Sequence, residues 1–205
     1  MKLSRQDGFS LLELLVAAGV ALTFALAGWS FQRSQARELS NQSATIDATD
    51  ATRAAMAFLA TEIRQAGYDP RQSALVTAGS RGIREARAER LLIEFDANGN
   101  GTIDANAVDP NAESILYSYD ATDRRIGRTV GGVDQTLVSN VPAGGFVLEY
   151  LDTLGNVLTP AGIPAALAAA QRDLVASVRV SLRLDADGTN VPTQLRMRSR
   201  MTLRN

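Results

Sequence analysis

The sequence predicts an α+β fold in which one long N-terminal helix packs on an antiparallel β-sheet. Two observations support this prediction. The residues from Phe9 to Ala66 include no proline and are rich in strong helix formers. Beyond Gly67, short alternating segments of apolar and polar residues are separated by turn residues, a pattern typical of strands joined by hairpins.

The residue types that are missing exclude several classes of function. The 205-residue chain has no cysteine and no histidine, which excludes disulfide scaffolds, thiolate or imidazole metal sites and triads that use these side chains. Only oxygen ligands remain for a metal ion. The formal net charge is −1, so no bulk positive charge points to nucleic acid. The sequence also has no nucleophile elbow and no phosphate-binding loop, and we predict that the chain is not an enzyme.

The first part of the predicted helix has the length and composition of a membrane span. Phe9–Phe31 carries a single charged residue, Glu13. A helix of this length crosses a hydrocarbon core of about 30 Å. Lys2 and Arg5 precede it, which predicts a single pass with a cytoplasmic N-terminus and an extracytoplasmic globular part.

Glu13 is costly in such a segment. A carboxylate inside a bilayer costs on the order of 3 kcal/mol even on the gentlest scale, so it requires a partner. Cleavage between Gly8 and Phe9 would place a new α-amine on Phe9, one helical turn from Glu13. We expect the amine and the carboxylate to pair within one chain or between neighbouring chains. The alternative is an unprocessed signal anchor.

These residues carry a family resemblance. Gly8–Ala17 reads GFSLLELLVA and resembles the class III prepilin signal of type IV pilins and type II secretion pseudopilins. The resemblance implies that residues 1–8 are a leader that prepilin peptidase removes, and that Phe9 is then N-methylated. It implies that Glu13 pairs with the Phe9 amine of a neighbouring subunit during assembly. The implied location is the inner membrane, followed by the pilus, the periplasm or the cell surface.

Residues 32–67 predict an amphipathic continuation of the helix. Met56, Leu59 and Ile63 follow helical spacing and form one apolar stripe, which must pack on another part of the chain. Gly67 followed by Pro70 predicts the end of the helix.

The helix end carries a second resemblance. Phe58–Pro70 reads FLATEIRQAGYDP and is similar to the sequence that ends the helix of PilW-like minor pilins. Pseudopilins of the J type share the helix pattern but usually lack the AGYDP ending. We expect Glu62, Arg64 and Tyr68 to form a solvated helix face and a C-cap turn.

The remaining residues, 68–205, predict a β-rich extracytoplasmic domain. Residues 71–90 predict a surface loop, and residues 164–172 predict a short helix that starts at a proline. Residues 125–158 resemble the central part of PilW-like proteins. Predicted strands cover Leu91–Phe95, Ile115–Tyr119, Thr136–Val138, Phe146–Leu151, Ser177–Leu184 and Leu195–Leu203.

An oxygen-rich loop follows the first of these strands. From Asp96 to Asp104 it reads DANGNGTID, with oxygen-bearing side chains at alternate positions and glycine at the sixth. This pattern is typical of loops that wrap a hard cation, so we predict weak Ca²⁺ binding and no required cofactor. The alternative is a polar hairpin tip, because Asn-Gly pairs form turns on their own. The predicted ligands are Asp96, Asn98, Asn100, Thr102, Asp104 and Glu113.

The last two predicted strands form an antiparallel hairpin with arginines at alternate positions. Period 2 places the arginines on one face and the apolar residues on the core face. This arginine face is a solvated surface, a protein-docking surface or, least favoured, a DNA contact, because stacking aromatic residues are missing from it. The arginines are Arg179, Arg183, Arg196, Arg198 and Arg200.

The resemblance implies a minor pilin that helps to initiate or cap a type IV pilus. Its implied partners are other minor and major pilins, prepilin peptidase and the inner membrane, with DNA unlikely. One alternative is a J-type pseudopilin of a type II secretion system, whose partners would be other pseudopilins. A second, from a different class, is a membrane-anchored ligand- or DNA-binding module.

Overall fold

The computed structural model describes residues 10–75, 81–158, 166–185 and 194–203, without the side chains of 194–196. The chain divides into two compact units, Met1–Ser43 and Ala44–Asn205. The described elements are one long helix, a four-residue helix and nine antiparallel strands, so the α+β class predicted from the sequence is confirmed.

The long helix, α1, spans Leu11–Gln65, close to the predicted limits. Its residues in the first unit are exposed on all sides. Within the described part of the chain, α1 is the one helix long and apolar enough to cross a membrane.

In the second unit, α1 buries one face. The predicted stripe is confirmed, since Met56, Leu59 and Ile63 are all buried. Gly67 follows the helix with a positive φ of 87°, and its backbone N–H donates to the Glu94 carbonyl at 3.1 Å. This left-handed conformation suits glycine, so the residue that ends the helix also ties it to the first sheet.

The first sheet contains five antiparallel strands in sequential order, β1-β2-β3-β4-β5. The chain passes from one strand to its neighbour four times, and the longest connection is the oxygen-rich loop between the second and third strands. The strands are β1 (Ile83–Ala86), β2 (Arg90–Glu94), β3 (Ser114–Asp120), β4 (Arg125–Val130) and β5 (Val133–Val138).

The second sheet has four antiparallel strands in the order β7-β6-β8-β9. The predicted C-terminal hairpin is confirmed by the pairing of β8 with β9. The elements are β6 (Phe146–Leu151), β7 (Val157–Leu158), a short helix α2 (Ala169–Arg172), β8 (Ser177–Asp185) and β9 (Gln194–Thr202).

The buried face of α1 and both sheets enclose one hydrophobic core. The sheets are also linked by hydrogen bonds: Leu148 donates its N–H to the Ala88 carbonyl at 2.7 Å, and Tyr150 donates its hydroxyl to the Arg87 carbonyl at 2.8 Å. Two sequence predictions were too simple here. The strands form two sheets and not one, and the predicted loop over 71–90 contains β1.

Candidate functional site

The predicted processing site lies at the start of the first unit. Gly8 and Phe9 lie outside the described residues. Glu13 lies in the first turn of α1, where the Leu14 N–H donates to the Ser10 carbonyl at 3.1 Å. Glu13 is exposed, and it is the one charged residue from Ser10 to Gln32.

The surface around Glu13 is apolar on every side of the helix. Leu11 is 81% exposed, Phe24 is 74% exposed and Trp29 is 70% exposed. A helix that is apolar all round needs lipid or other apolar helices against it, because water on this surface would be unfavourable. Glu13 is therefore a lone carboxylate on a surface suited to lipid or helix packing.

The oxygen-rich loop is organised by buried carboxylates. Asp96 is fully buried after β2, and its two oxygens accept the N–H groups of Gly99 at 2.6 Å and Gly101 at 3.0 Å. Both glycines have positive φ, which lets the backbone turn around the carboxylate. Asp96 thus fixes the first half of the loop.

Glu113 closes the other side of the loop, as the sequence predicted. It is fully buried; one oxygen accepts the N–H groups of Ala97 at 3.1 Å and Asn98 at 3.2 Å. The other accepts the Asp104 N–H at 2.8 Å. A single carboxylate thus satisfies three backbone donors from both ends of the loop, which joins its start to its end.

The remaining predicted ligands hydrogen bond to one another at the surface. One Asp104 oxygen accepts the side-chain amides of Asn98 at 3.1 Å and Asn100 at 3.0 Å, and the Asn100 carbonyl oxygen accepts the Thr102 hydroxyl at 2.7 Å. Among the described residues, no group of three or more acidic side chains is placed to hold a metal ion. The loop forms the turn of the alternative interpretation, and Ca²⁺ binding stays a prediction.

A buried ion pair joins α1 to the first sheet. Arg128 on β4 is 4% exposed, and its Nη2 lies 2.7 Å from Oε1 of Glu62, which is 9% exposed. The Tyr117 hydroxyl donates to the other Glu62 oxygen. Arg128 also donates from Nη1 and Nη2 to the two carboxylate oxygens of Asp109, at 2.6 and 2.9 Å. The Phe58 ring centroid lies 5.2 Å from Cζ of Arg128.

Two groups of this cluster have pKa values shifted by their neighbours. The hydrogen bond from Arg128, together with its positive charge, holds the pKa of Asp109 below its usual range. Burial raises the pKa of Tyr117, and the negative charge of Glu62 raises it further, so the phenol stays neutral and donates. The cluster is a closed network that fixes the helix on the sheet.

The prediction that Glu62 belongs to a solvated helix face was wrong, whereas Arg64 is exposed as predicted. The sequence held a signal for the buried pair. Arg128 lies in phase with Ile126 and Val130 in a strand of period 2, so it had to face the core. A buried arginine requires an acid, and Glu62 lies on the buried face of the helix.

The arginine face is present where the sequence predicted it. Arg179 and Arg198 both bind Glu149 of β6, at 2.9 and 2.7 Å, and these bonds lower the pKa of Glu149. Arg183 and Arg200 lie on the same face, whereas the Arg196 side chain is outside the described residues. The intervening residues of β8 are buried, namely Val178, Val180, Leu182 and Leu184.

The described residues thus offer three candidate sites: a lone carboxylate on an apolar helix, a self-supported polar loop and an arginine face. The buried ion pair has a structural role. Comparison of the chain with protein-family models, with curated proteins and with solved structures gave no match.

Proposed function

We propose that the chain is a minor pilin of a type IV pilus, similar to the PilW-like proteins, and that it acts by packing its N-terminal helix with other pilins. One observation carries the proposal. Glu13 is the single charge from Ser10 to Gln32, a segment of α1 that is exposed on all sides and mostly apolar, and it follows a Gly8–Phe9 bond in the sequence context of a prepilin signal.

The proposed partner of Glu13 is the N-methylated amine of Phe9 in a neighbouring subunit. An unpaired carboxylate in lipid costs on the order of 3 kcal/mol, and a cationic amine beside it removes much of that cost. The same pair fixes how far one helix is displaced along the next, because only one displacement brings the two groups together. Apolar packing then supplies affinity, and the ion pair supplies register.

The globular unit supports the choice of a minor pilin over a J-type pseudopilin. The AGYDP ending and the oxygen-rich loop are the two sequence features that favour a PilW-like protein, and they contact each other. The Asp96 N–H donates to the Tyr68 carbonyl at 2.7 Å. A Cβ on Gly99 would lie 3.4 Å from Pro70 Cγ. The two motifs form one structural feature at the end of the helix.

The experiment is recovery of the full chain, carrying an affinity tag, from the membranes and sheared pili of its own cells. We expect it to co-purify with other minor pilins. Gly8→Val should block processing and remove the chain from the pilus fraction. Ala54→Val, at an exposed position of α1 outside the segment proposed to pack with other pilins, is the control.

Each other outcome contradicts the proposal in a specific way. Co-purification with secretion pseudopilins supports the J-type alternative. Recovery with DNA alone, without any pilin, supports a membrane-anchored DNA-binding module. Equal amounts of the Gly8→Val variant and the unchanged chain in the pilus fraction contradict processing as a requirement for assembly.

A further inference from the structure

Strand β9 forms an edge of the second sheet. It pairs with β8 at nine consecutive positions, from Gln194 to Thr202, without a register shift. In the strand order it is last, and no other described strand pairs with its far side. A regular edge of this length exposes a row of backbone donors and acceptors that can bind another strand, and natural proteins either protect such edges or use them.

The arginine face lies directly beside this edge. The register of the hairpin sets Arg179 opposite Arg200 and Arg183 opposite Arg196. Like charges directly opposite each other on one face of a sheet are destabilising. The hairpin therefore carries an unfavourable charge arrangement that an anionic partner would relieve.

The described residues neutralise only part of this charge. Glu149 is shared between Arg179 and Arg198. Within the described ranges, Arg183 and Arg200 bind no carboxylate: Arg183 donates to the Ala143 carbonyl at 3.1 Å, and Arg200 donates to the Ser177 hydroxyl at 2.9 Å. The arginine face is thus strongly positive in a chain whose net charge is −1.

On the opposite face of β9, Ser199 lies between two methionines. Met201 is 1% exposed, and Met197 packs against the core while remaining half-buried. A strand added to β9 would place alternate residues beside Arg198 and Arg200, and the intervening residues beside Met197, Ser199 and Met201. Neighbouring strands lie about 4.8 Å apart, so acidic side chains on the added strand reach the guanidinium groups.

We propose that the free edge of β9 binds an extended acidic segment of a partner protein as an added strand. The segment carries Asp or Glu at alternate positions and apolar residues between them. Backbone hydrogen bonds supply affinity, and the alternation supplies specificity. This proposal goes beyond the pilin assignment and does not rest on it, because the edge and the arginine face belong to the globular unit.

Two other occupants fit the observations less well. A second copy paired through its own β9 would bring the arginines of both chains to one junction and increase the repulsion. Single-stranded nucleic acid requires aromatic side chains for base stacking, and none of the residues described on the arginine face of β6, β8 and β9 is aromatic.

The test uses the full chain in uncharged detergent micelles and a fluorescent peptide, TEVEVEVET, with binding followed by anisotropy. A peptide of the same composition with its glutamates in one block is the first control. The second control is a pair of peptides with N-methylated backbones, one methylated at the odd-numbered residues and the other at the even-numbered residues. We expect the alternating peptide to bind about tenfold more tightly than the block peptide, and one of the two N-methylated peptides to lose binding.

Variants of the chain complete the test. Arg198→Gln with Arg200→Gln should weaken binding of the alternating peptide about tenfold. Arg53→Gln with Arg64→Gln removes the same charge from exposed positions on α1 and should leave binding unchanged. Thermal unfolding should be alike in both double variants, which excludes misfolding as the cause.

Four results would each overturn the proposal: no binding of the alternating peptide, equal binding of the block peptide, no effect of N-methylation in either peptide of the pair, or unchanged binding by the Arg198/Arg200 variant. Tighter binding of duplex DNA than of the peptide would identify a nucleic-acid surface. Self-association that the Arg198/Arg200 variant changes would identify a second copy as the occupant.

Discussion

Two carboxylates on the same helix, Glu13 and Glu62, have opposite surroundings. Glu62 is buried against the sheets and receives Arg128 at 2.7 Å together with the Tyr117 hydroxyl. Glu13 lies on the exposed apolar surface of the first unit, and the described residues provide it with no partner. Both carboxylates need a partner in apolar surroundings: the fold supplies one to Glu62, and the proposed function assigns the partner of Glu13 to a neighbouring subunit.

The largest expected effect is on the free energy of unfolding when Glu62, the partner of Arg128, is removed. Glu62→Ala leaves Arg128 buried with only the half-exposed Asp109, and we expect a loss of about 3–5 kcal/mol in the free energy of unfolding. Urea denaturation of the full chain in micelles measures it. Glu38→Ala, at an exposed position on α1, is the control and should change stability by less than about 0.5 kcal/mol. Equal effects of the two variants would contradict the role given to the buried pair.

The second prediction removes Glu13, for which the described residues provide no partner. Glu13→Ala should leave unfolding of the globular unit unchanged and should not hinder membrane insertion, since it removes a cost on the order of 3 kcal/mol. Cleavage should proceed, but incorporation into pili should fall about tenfold or more because the register pair is lost. Quantitative immunoblots of membrane and pilus fractions measure this. Normal incorporation would count against the pair.

A third carboxylate, Glu113, has backbone N–H groups as its partners. Glu113→Gln keeps one acceptor but points an amide at N–H donors, and we expect a loss of about 1–3 kcal/mol, measured by thermal unfolding. Asp104→Asn at the loop surface should cost less than about 0.5 kcal/mol. If Asp104→Asn proved the more damaging change, the loop would not be organised by Glu113.

The same loop allows a calcium test. Millimolar Ca²⁺ should raise the midpoint of unfolding by an amount equivalent to about 1 kcal/mol, because a loop with few carboxylates binds weakly. Asp104→Asn should reduce that shift. An unchanged midpoint up to several millimolar Ca²⁺ removes the predicted site and leaves a polar turn.

The smallest effect is on pH dependence, through Asp109. Its folded pKa is lowered by the hydrogen bond from Arg128, so its contribution to stability is present above the ordinary aspartate pKa of about 3.9 and is lost as pH falls through the lower folded value. Because this carboxylate is half exposed, the contribution should be below about 1 kcal/mol. In the Asp109→Asn variant, the free energy of unfolding should fall less steeply with decreasing pH at acid pH than in the unchanged chain. Equal slopes in the variant and the unchanged chain would contradict this link.

The sequence predicted what local patterns decide. A long segment without proline predicted α1, and alternation in residues 146–151 and 177–184 predicted β6 and β8 nearly to the residue. Strands β1 and β4 were not predicted. Ile83–Ala86 is short and its inner charged residues hide the alternation, and in Arg125–Val130 an arginine stands between the apolar positions. The division into two sheets depends on pairings between distant strands, which local patterns do not specify.

The same limit applied to the sites. Glu13 and the oxygen-rich loop stand out because their signals lie within a few neighbouring residues. The Glu62–Arg128 pair joins residues 66 positions apart, so it emerges only when the helix is docked on β4. The available signal was that Arg128 lies on the same face of its strand as Ile126 and Val130. This signal indicates a buried charge but does not identify its partner.

The central claim is that Glu13 pairs with an amine created by processing. The most direct measurement is the mass of the N-terminal peptide of the chain recovered from its own cells. The account predicts a peptide that begins at N-methylated Phe9. A peptide that begins at Met1 or Lys2 would contradict it, because the amine would then lie in the polar leader, away from Glu13.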